Sequence, residues 1–243
     1  MSNTAEIRAL LVTHDHEMVG IFSDLFREIG VAVQSYGDES GAELGLRVVR
    51  FEALVLDFDN LRKTLPIIKS LRDSHSSKNA LVFAVASDSD ARQRALDQGA
   101  NFAFERPFQP TRIKQVLHTA YGLMLRERRR YFRYAVKLKV RLRRNCGTEL
   151  QCNTMNISRN GMAVNIPCVL DLGETLELVF SIPDVSCVMT AEGTVVWDDR
   201  HGKAGLTFQC ANLDQQNRLV GWLDAEFLRH LNSEHGTPSP PPS

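Results

Sequence analysis

The side chains whose chemistry is easiest to interpret are the arginines of residues 128–133, Arg-Arg-Arg-Tyr-Phe-Arg. Between residues 126 and 144, ten Lys or Arg side chains face a single acid, so this stretch carries +9 in a chain of formal net charge zero. A guanidinium group can donate two parallel charge-assisted hydrogen bonds to a phosphate and can stack its flat face on a base. The stretch therefore favours a ligand that carries phosphates.

A second polar segment follows at residues 156–161, Asn-Ile-Ser-Arg-Asn-Gly. It offers an amide, a hydroxyl and a glycine within six residues. Together the two segments predict a nucleotide-binding site. The alternative interpretation is that a basic strand entrance and a polar turn form an ordinary solvated surface.

The two segments, read as Arg-Arg-x-x-x-Arg and Asn-x-Ser-x-x-Gly, resemble the two motifs of the PilZ domain, a bacterial receptor for cyclic di-GMP. We place this domain at residues 127–232. The resemblance implies that the arginines bind the phosphates and guanine edges of cyclic di-GMP, and that the second motif surrounds a guanine. An arginine at position 128 further implies a stacked pair of ligand molecules, hence two per domain. The implied ligand residues are Arg128, Arg129, Arg133, Asn156, Ser158 and Gly161.

The N-terminal half alternates between apolar strand runs and amphipathic helices. Strands are predicted at 7–12, 31–36, 53–56, 81–86 and 101–104, and helices at 19–29, 39–49, 61–72, 90–98 and 110–128. Five strands alternating with five helices predict a doubly wound parallel sheet that is covered on both faces. Ligands of such a sheet bind at the carboxyl ends of its strands.

This half, residues 6–126, resembles the receiver domain of bacterial response regulators, with Asp57 at the phosphoacceptor position. Receivers hold magnesium with an acidic pair after the first strand and orient the phosphoryl group with a lysine and a hydroxyl. Here Thr13 and His14 replace the acids, and Arg106 replaces the lysine. Magnesium prefers carboxylate-rich sites. We therefore expect a pseudo-receiver with no metal, in which Asp57 pairs with Arg106 and is not phosphorylated.

The C-terminal half changes to a period of two from Val136 onwards, where apolar residues alternate with Lys and Arg. Further alternations at 162–166, 176–182, 189–197 and 206–208 predict a small antiparallel β-barrel, which a helix at 213–231 closes. In the strand at 189–197, Trp197 falls on the core face. Residues 233–243 are rich in Pro and Ser and are predicted to be a disordered tail.

Several classes of function find no support in the sequence. It contains no G-x-S-x-G, H-E-x-x-H or G-x-x-x-x-G-K-[ST] motif, so we expect a sensor and not an enzyme. The apolar run at 80–86 is too short to span a bilayer, and the first residues lack the basic and then apolar pattern expected of a signal peptide. The five cysteines are odd in number and show no C-x-x-C spacing, which indicates reduced thiols. These features favour a cytoplasmic protein without a membrane partner.

Three functional hypotheses remain. The preferred one is a cyclic di-GMP receptor in which the ligand orders a mobile arginine segment, reorients the two domains and signals to an unidentified protein partner. The receiver-like domain or the helix at 110–128 would then support a homodimer. The alternatives are a response regulator phosphorylated on Asp57, or a nucleic-acid-binding protein that uses the basic strand 137–144. Nucleic acid is the less favoured ligand because no helix-turn-helix accompanies the basic strand.

Overall fold

A computed structural model describes residues 6–60, 64–183 and 187–234, with Glu234 described by its backbone alone. The chain divides into two compact units, Glu6–Arg129 and Arg130–Ser243. We call them the receiver-like unit and the barrel unit. The division lies three residues after the predicted boundary between residues 126 and 127, within the run of arginines.

The receiver-like unit alternates strands and helices as the sequence predicts. Its elements are β1 (Ile7–Val12), α1 (His16–Glu28), β2 (Val31–Tyr36), α2 (Glu39–Val48), β3 (Ala53–Asp57), α3 (Thr64–Asp73), β4 (Leu81–Ala86), α4 (Ser89–Asp97), β5 (Phe102–Glu105) and α5 (Pro110–Arg130). The strands pair in parallel in the order β2-β1-β3-β4-β5. This is a doubly wound order with a receiver-like fold, which confirms the predicted class.

Two apolar layers cover this sheet, one on each face. Side chains of α1 and α5, such as Phe22 and Leu117, pack on one face. Side chains of α2, α3 and α4, such as Leu46 and Ile67, pack on the other. Because both faces are covered, the central strands β1, β3 and β4 are nearly continuous apolar runs, and for that reason the bounds of β1 and β4 could be predicted to the residue.

The barrel unit contains six antiparallel strands and a final helix among its described residues. They are β6 (Lys139–Arg144), β7 (Glu149–Ser158), β8 (Gly161–Asn165), β9 (Thr175–Ser181), β10 (Val188–Asp198), β11 (Lys203–Cys210) and α6 (Leu213–Glu234). The strands close in the order β10-β11-β8-β7-β6-β9, with β9 pairing back to β10. The predicted barrel and closing helix are therefore confirmed. The basic strand begins at Lys139, two residues later than predicted.

One strand, β7, was not predicted. Its sequence lacks a simple alternation because Thr154 takes an inward position, only 2% exposed, and a β-bulge between Thr154 and Asn156 changes the register. The hydroxyl of Thr154 donates to Val136 O and accepts from Leu138 N at 2.8 Å. A polar side chain can occupy the core here because neighbouring backbone groups satisfy its hydroxyl.

The segment that follows α5 is held against the barrel by packing. Phe132 is 4% exposed, and its ring centroid lies 5.2 Å from that of Phe227 in α6. Tyr134 exchanges two backbone hydrogen bonds with Ile157, at 2.7 and 2.9 Å. The prediction that the arginine segment is mobile did not take this packing into account. Alternate residues of the segment face the core of the barrel unit.

Some predicted features fall partly outside the described residues. These are the first three residues of the helix predicted at 61–72 and residues 235–243 of the predicted tail. Ser233 and Glu234, which were assigned to the tail, are the last residues of α6. None of the helices described is both long enough and apolar enough to cross a membrane.

All five cysteines are free thiols. Cys152 and Cys210 are buried in the barrel core, where they pack as small apolar side chains. Burial raises the pKa of Cys152 to about 12, so this thiol stays protonated and unreactive at neutral pH.

Thr154→Val tests the role of the buried hydroxyl. Valine keeps the volume of threonine but leaves the Leu138 N–H without its acceptor in a buried position. We expect the free energy of unfolding of the barrel unit to fall by about 1–3 kcal/mol, measured by urea denaturation. Thr207→Val, on the exposed face of β11, is the control and should change it little. Equal stability of the two variants would contradict this account.

Candidate functional site

Four of the six predicted ligand residues line one groove in the barrel unit. Arg133, Asn156, Ser158 and Gly161 surround a space of about 380 Å³, together with Arg130, Trp197 and backbone of β11. We call this space the motif groove. The sequence motifs are thus brought together by the fold, although 22 residues of chain separate the last arginine from Asn156.

The end of β7 and the start of β8 position the second motif. Ser158 closes β7 and Gly161 opens β8, and the Ser158 hydroxyl donates to Gly161 O at 3.0 Å. A Cβ atom on Gly161 would lie 3.0 Å from Leu206 O, a backbone atom of β11 that cannot easily move. Glycine is therefore required for close packing of β8 on β11 and keeps the groove floor open.

Arg133 brings the first motif to the second. Its Nη1 atom donates to Asn156 Oδ1 at 3.3 Å, and the Tyr134–Ile157 bridge fixes the backbone on both sides of this contact. Partial burial lowers the pKa of Arg133, which as an arginine still stays protonated. Arg133 is exposed at the groove, so its positive charge is accessible to an anion that binds there.

Trp197 is a groove residue that the sequence reasoning placed wrongly. The alternation along β10 put it in the core, but a β-bulge between Val195 and Trp197 shifts the register, and the side chain is 42% exposed. The indole lies against Gly205, where an added Cβ would be only 1.9 Å from Nε1. The pairing of Trp197 with Gly205 on the neighbouring strand indicates that the indole lies on the outer face, but this pairing can be recognised only when the strand register is known.

Arg128 and Arg129 belong to the receiver-like unit, on the last turn of α5. The Arg128 side chain is 12% exposed, and its Nη1 lies 3.4 Å from Oε1 of Glu52, which is fully buried. Burial lowers the pKa of Arg128, and the charge of Glu52 opposes that shift. The structure thus gives Arg128 a partner inside the receiver-like unit that the sequence did not reveal.

Glu52 and Arg128 are part of a larger buried charge cluster. Glu52 also accepts from Arg50 Nε at 2.7 Å and from the backbone N–H of Arg8 at 3.0 Å. Arg50 in turn donates to Glu127 O at 3.1 Å, and Glu127 Oε1 accepts from Asn79 at 3.0 Å. Two acids and two arginines therefore fix the end of α5 to the loops that precede β3 and β4.

Asp57 lies at the carboxyl end of β3, 1% exposed, as the receiver resemblance implies. Its Oδ2 atom accepts from Thr13 Oγ1 and Asn60 Nδ2, each at 2.9 Å, and lies 3.2 Å from Arg106 Nη2. Its Oδ1 atom is buried without a hydrogen-bond partner in the described structure. The guanidinium of Arg106 is therefore the charge that compensates this buried carboxylate.

Arg106 also holds Asp15, the remaining acid after β1, at 2.6 Å. Asp15 caps the N-terminus of α1 by accepting from the N–H groups of Glu17 and Met18. Burial acts to raise the pKa of Asp15, but these N–H groups and Arg106 outweigh it, so the pKa lies below its usual value. The carboxylates of Asp15 and Asp57 thus share the guanidinium of Arg106.

These residues do not fit the magnesium ion that receivers hold. Magnesium needs several hard oxygen ligands in octahedral geometry, whereas Arg106 already occupies both carboxylates, and Thr13 and His14 supply no further acid. Across the described ranges, no group of three or more His, Cys, Asp or Glu side chains could hold a metal ion.

Comparison with protein families settles the nature of the second half. The family model "PilZ domain" matches residues 127–225, which include both motifs and the whole groove. Residues 127–225 are a PilZ domain. This PilZ domain takes in the last turn of α5, so its first arginines belong to the receiver-like unit of the structure.

Solved structures resemble each half separately. The receiver domain of a sensor histidine kinase from Pseudomonas aeruginosa is 17% identical, with a TM-score of 0.42 over 48% of this chain and 98% of that one. The chemotaxis response regulator CheY4 of Vibrio cholerae is 18% identical, with a TM-score of 0.43 over 47% and 98%. The Bacillus subtilis inhibitor of motility (MotI/DgrA) is 22% identical, with a TM-score of 0.34 over 40% of this chain and half of that one. No curated protein sequence matches the chain.

Arg106→Ala tests whether the guanidinium takes the place of a metal ion. Removing it leaves Asp15 and Asp57 without their shared cation, so we expect magnesium to raise the melting temperature of this variant but not that of the wild-type protein. Beryllofluoride with magnesium should likewise leave the wild-type melting curve unchanged. Arg27→Ala, which removes an exposed ion pair of α1, is the control. A magnesium or beryllofluoride shift in the wild-type protein that Asp57→Asn abolishes would show a competent receiver.

Proposed function

We propose that this protein is a non-enzymatic, cytoplasmic receptor for cyclic di-GMP. The observation that supports this most directly is the motif groove of the PilZ domain, where Arg133, Asn156, Ser158 and Gly161 converge. PilZ and receiver-like domains are regulatory domains, and the receiver-like unit serves as the part that passes the signal on.

Each groove residue has a chemical role that suits a cyclic dinucleotide. Arg133 provides a planar guanidinium for a phosphate or for the O6 and N7 edge of guanine. Asn156 and Ser158 provide an amide and a hydroxyl for the polar edge of the base. Trp197 offers an exposed aromatic face on which a base can stack, an interaction worth about 1–3 kcal/mol per base. Gly161 leaves the backbone accessible beneath them.

The remaining arginines supply further charge around the groove. Arg130 lines it directly. We propose that Arg129 and Arg128 complete the set when the ligand is bound, and that Arg128 admits a second, stacked molecule of cyclic di-GMP. Bound phosphates would neutralise the mutual repulsion of these side chains, which lie within six residues of one another.

We further propose that the ligand changes the arrangement of the two units. Arg133 is bonded to the groove while Phe132, its neighbour, packs on α6 and Arg130 ends α5. A ligand that draws the arginines together acts on the chain segment that connects α5 to the barrel unit. Such a switch would present the receiver-like unit differently to an unidentified protein partner or to a second copy of the chain through α5.

Nucleic acid remains the second candidate ligand because Lys137, Lys139 and Arg141 line an open groove on the outer face of β6. Binding there would come from counterion release and would fall steeply with salt. It would also be independent of the motif groove. The basic face is therefore the natural place for control substitutions.

Arg133→Ala should weaken cyclic di-GMP binding by at least about thirtyfold, because a partly desolvated phosphate loses its charged partner, a loss of about 2 kcal/mol or more. Ser158→Ala removes one neutral hydrogen bond and should cost about 1 kcal/mol. Lys139→Ala, on the basic face of β6, is the matched control and should bind as the wild-type protein does. Calorimetric titration measures all three. Wild-type affinity in Arg133→Ala would contradict the proposed site.

Small-angle scattering tests the proposed rearrangement. Saturating cyclic di-GMP should change the scattering curve of the wild-type protein, because the ligand acts on the connection between two compact units. Arg133→Ala at the same ligand concentration should scatter as the ligand-free protein does. Superimposable curves for the free and saturated wild-type protein would rule out the rearrangement while leaving the receptor function intact.

A further inference from the structure

We propose that Glu52 of the receiver-like unit is a specificity-determining residue for ligand stoichiometry: it withholds Arg128 from the second molecule of cyclic di-GMP. The inference rests on the proposed function and adds a residue outside the PilZ domain to the residues that control binding. It makes the second binding step depend on the receiver-like unit.

The contact that carries the inference lies wholly inside the receiver-like unit. Arg128 Nη1 is 3.4 Å from Oε1 of Glu52, and the two side chains are 12% and 0% exposed. A buried carboxylate needs compensating cations, and the departure of one arginine weakens that compensation. The Glu52 carboxylate therefore competes with a ligand for the guanidinium of Arg128.

The strength of this hold is set by the neighbours of Glu52. Arg50 Nε lies 2.7 Å from the same Oε1 atom, so Glu52 keeps one cation even after Arg128 departs. Arg50 is in turn held by Glu127, which limits how fully it can replace Arg128. Separating Arg128 from Glu52 therefore has a limited free-energy cost, which the binding of a ligand can offset.

Arg133 differs from Arg128 because its partner among the described residues is a neutral amide and not a buried carboxylate. It contacts Asn156 inside the motif groove and is ready to bind a first molecule. Arg128 must first be released. We therefore expect two binding steps, a tight one governed by Arg133 and a weaker one governed by the exchange of Arg128 between Glu52 and the ligand.

Glu52→Gln is the first test. The amide can still accept the Arg8 N–H, but it removes the charge that attracts Arg128, and the nearby positive charge of Arg50 then repels it. Calorimetric titration with cyclic di-GMP should show the second molecule binding at least about tenfold more tightly, with the first unchanged. Glu6→Gln is the matched control, since Glu6 pairs with Arg8 and not with Arg128. It should leave both steps as they are in the wild-type protein.

Arg128→Ala tests the inference independently of how well Glu52→Gln folds. It should abolish the second step and keep the first, and in this background Glu52→Gln should no longer change either step. Circular dichroism confirms folding of each variant. An arginine that only stabilises the receiver-like unit would lower the melting temperature but leave both binding steps in place.

The outcomes separate this inference from the proposed function. If Glu52→Gln and the wild-type protein give the same isotherm, or if Arg128→Ala still binds two molecules with wild-type affinities, the inference is overturned and the receptor function stands. If the wild-type protein binds one molecule and Glu52→Gln binds two, the inference is supported in its strongest form. If the wild-type protein binds no cyclic di-GMP, the function and the inference fail together.

Discussion

The fully buried carboxylate of Glu52 constrains the last turn of α5 and the loop before β3, because both must supply it with cations. A charge removed from water requires partners, and these are Arg50 in the loop before β3 and Arg128 in the last turn of α5. This requirement fixes the last turn of α5, with Glu127 held on the other side of the same cluster. The same turn of α5 carries the first arginines of the PilZ domain, so the cluster also fixes the helix end from which they project.

Buried acids also require a cation at the opposite end of the sheet, around the phosphoacceptor position Asp57. Asp57 and Asp15 are carboxylates at the carboxyl edge of a parallel sheet, and a guanidinium compensates both of them. The receiver-like unit thus keeps the architecture of its fold while its own side chains provide the cation.

Features that depend on a local pattern of residues could be predicted from the sequence. Features that depend on strand register or on distant contacts could not. The central parallel strands were predictable because they are buried on both faces and have nearly continuous apolar sequences. β7 was missed because Thr154 satisfies its hydroxyl within the core, and Trp197 was misplaced because a single bulge reverses which face a side chain occupies. The partners of Arg128 could not be predicted, since Glu52 is 76 residues away and only the folded chain brings the two together.

The exposed position of Trp197 has a spectroscopic consequence. The chain contains two tryptophans, and the other, Trp222, is 6% exposed and packs against Tyr134 beneath α6. Their emission should therefore differ: Trp197 should emit at longer wavelength and be quenched by iodide, while Trp222 should emit at shorter wavelength and be shielded from it. Because Trp197 lines the motif groove and Trp222 lies in the apolar interior, the protein carries two intrinsic fluorophores that report separately on the groove and on the core of the same unit.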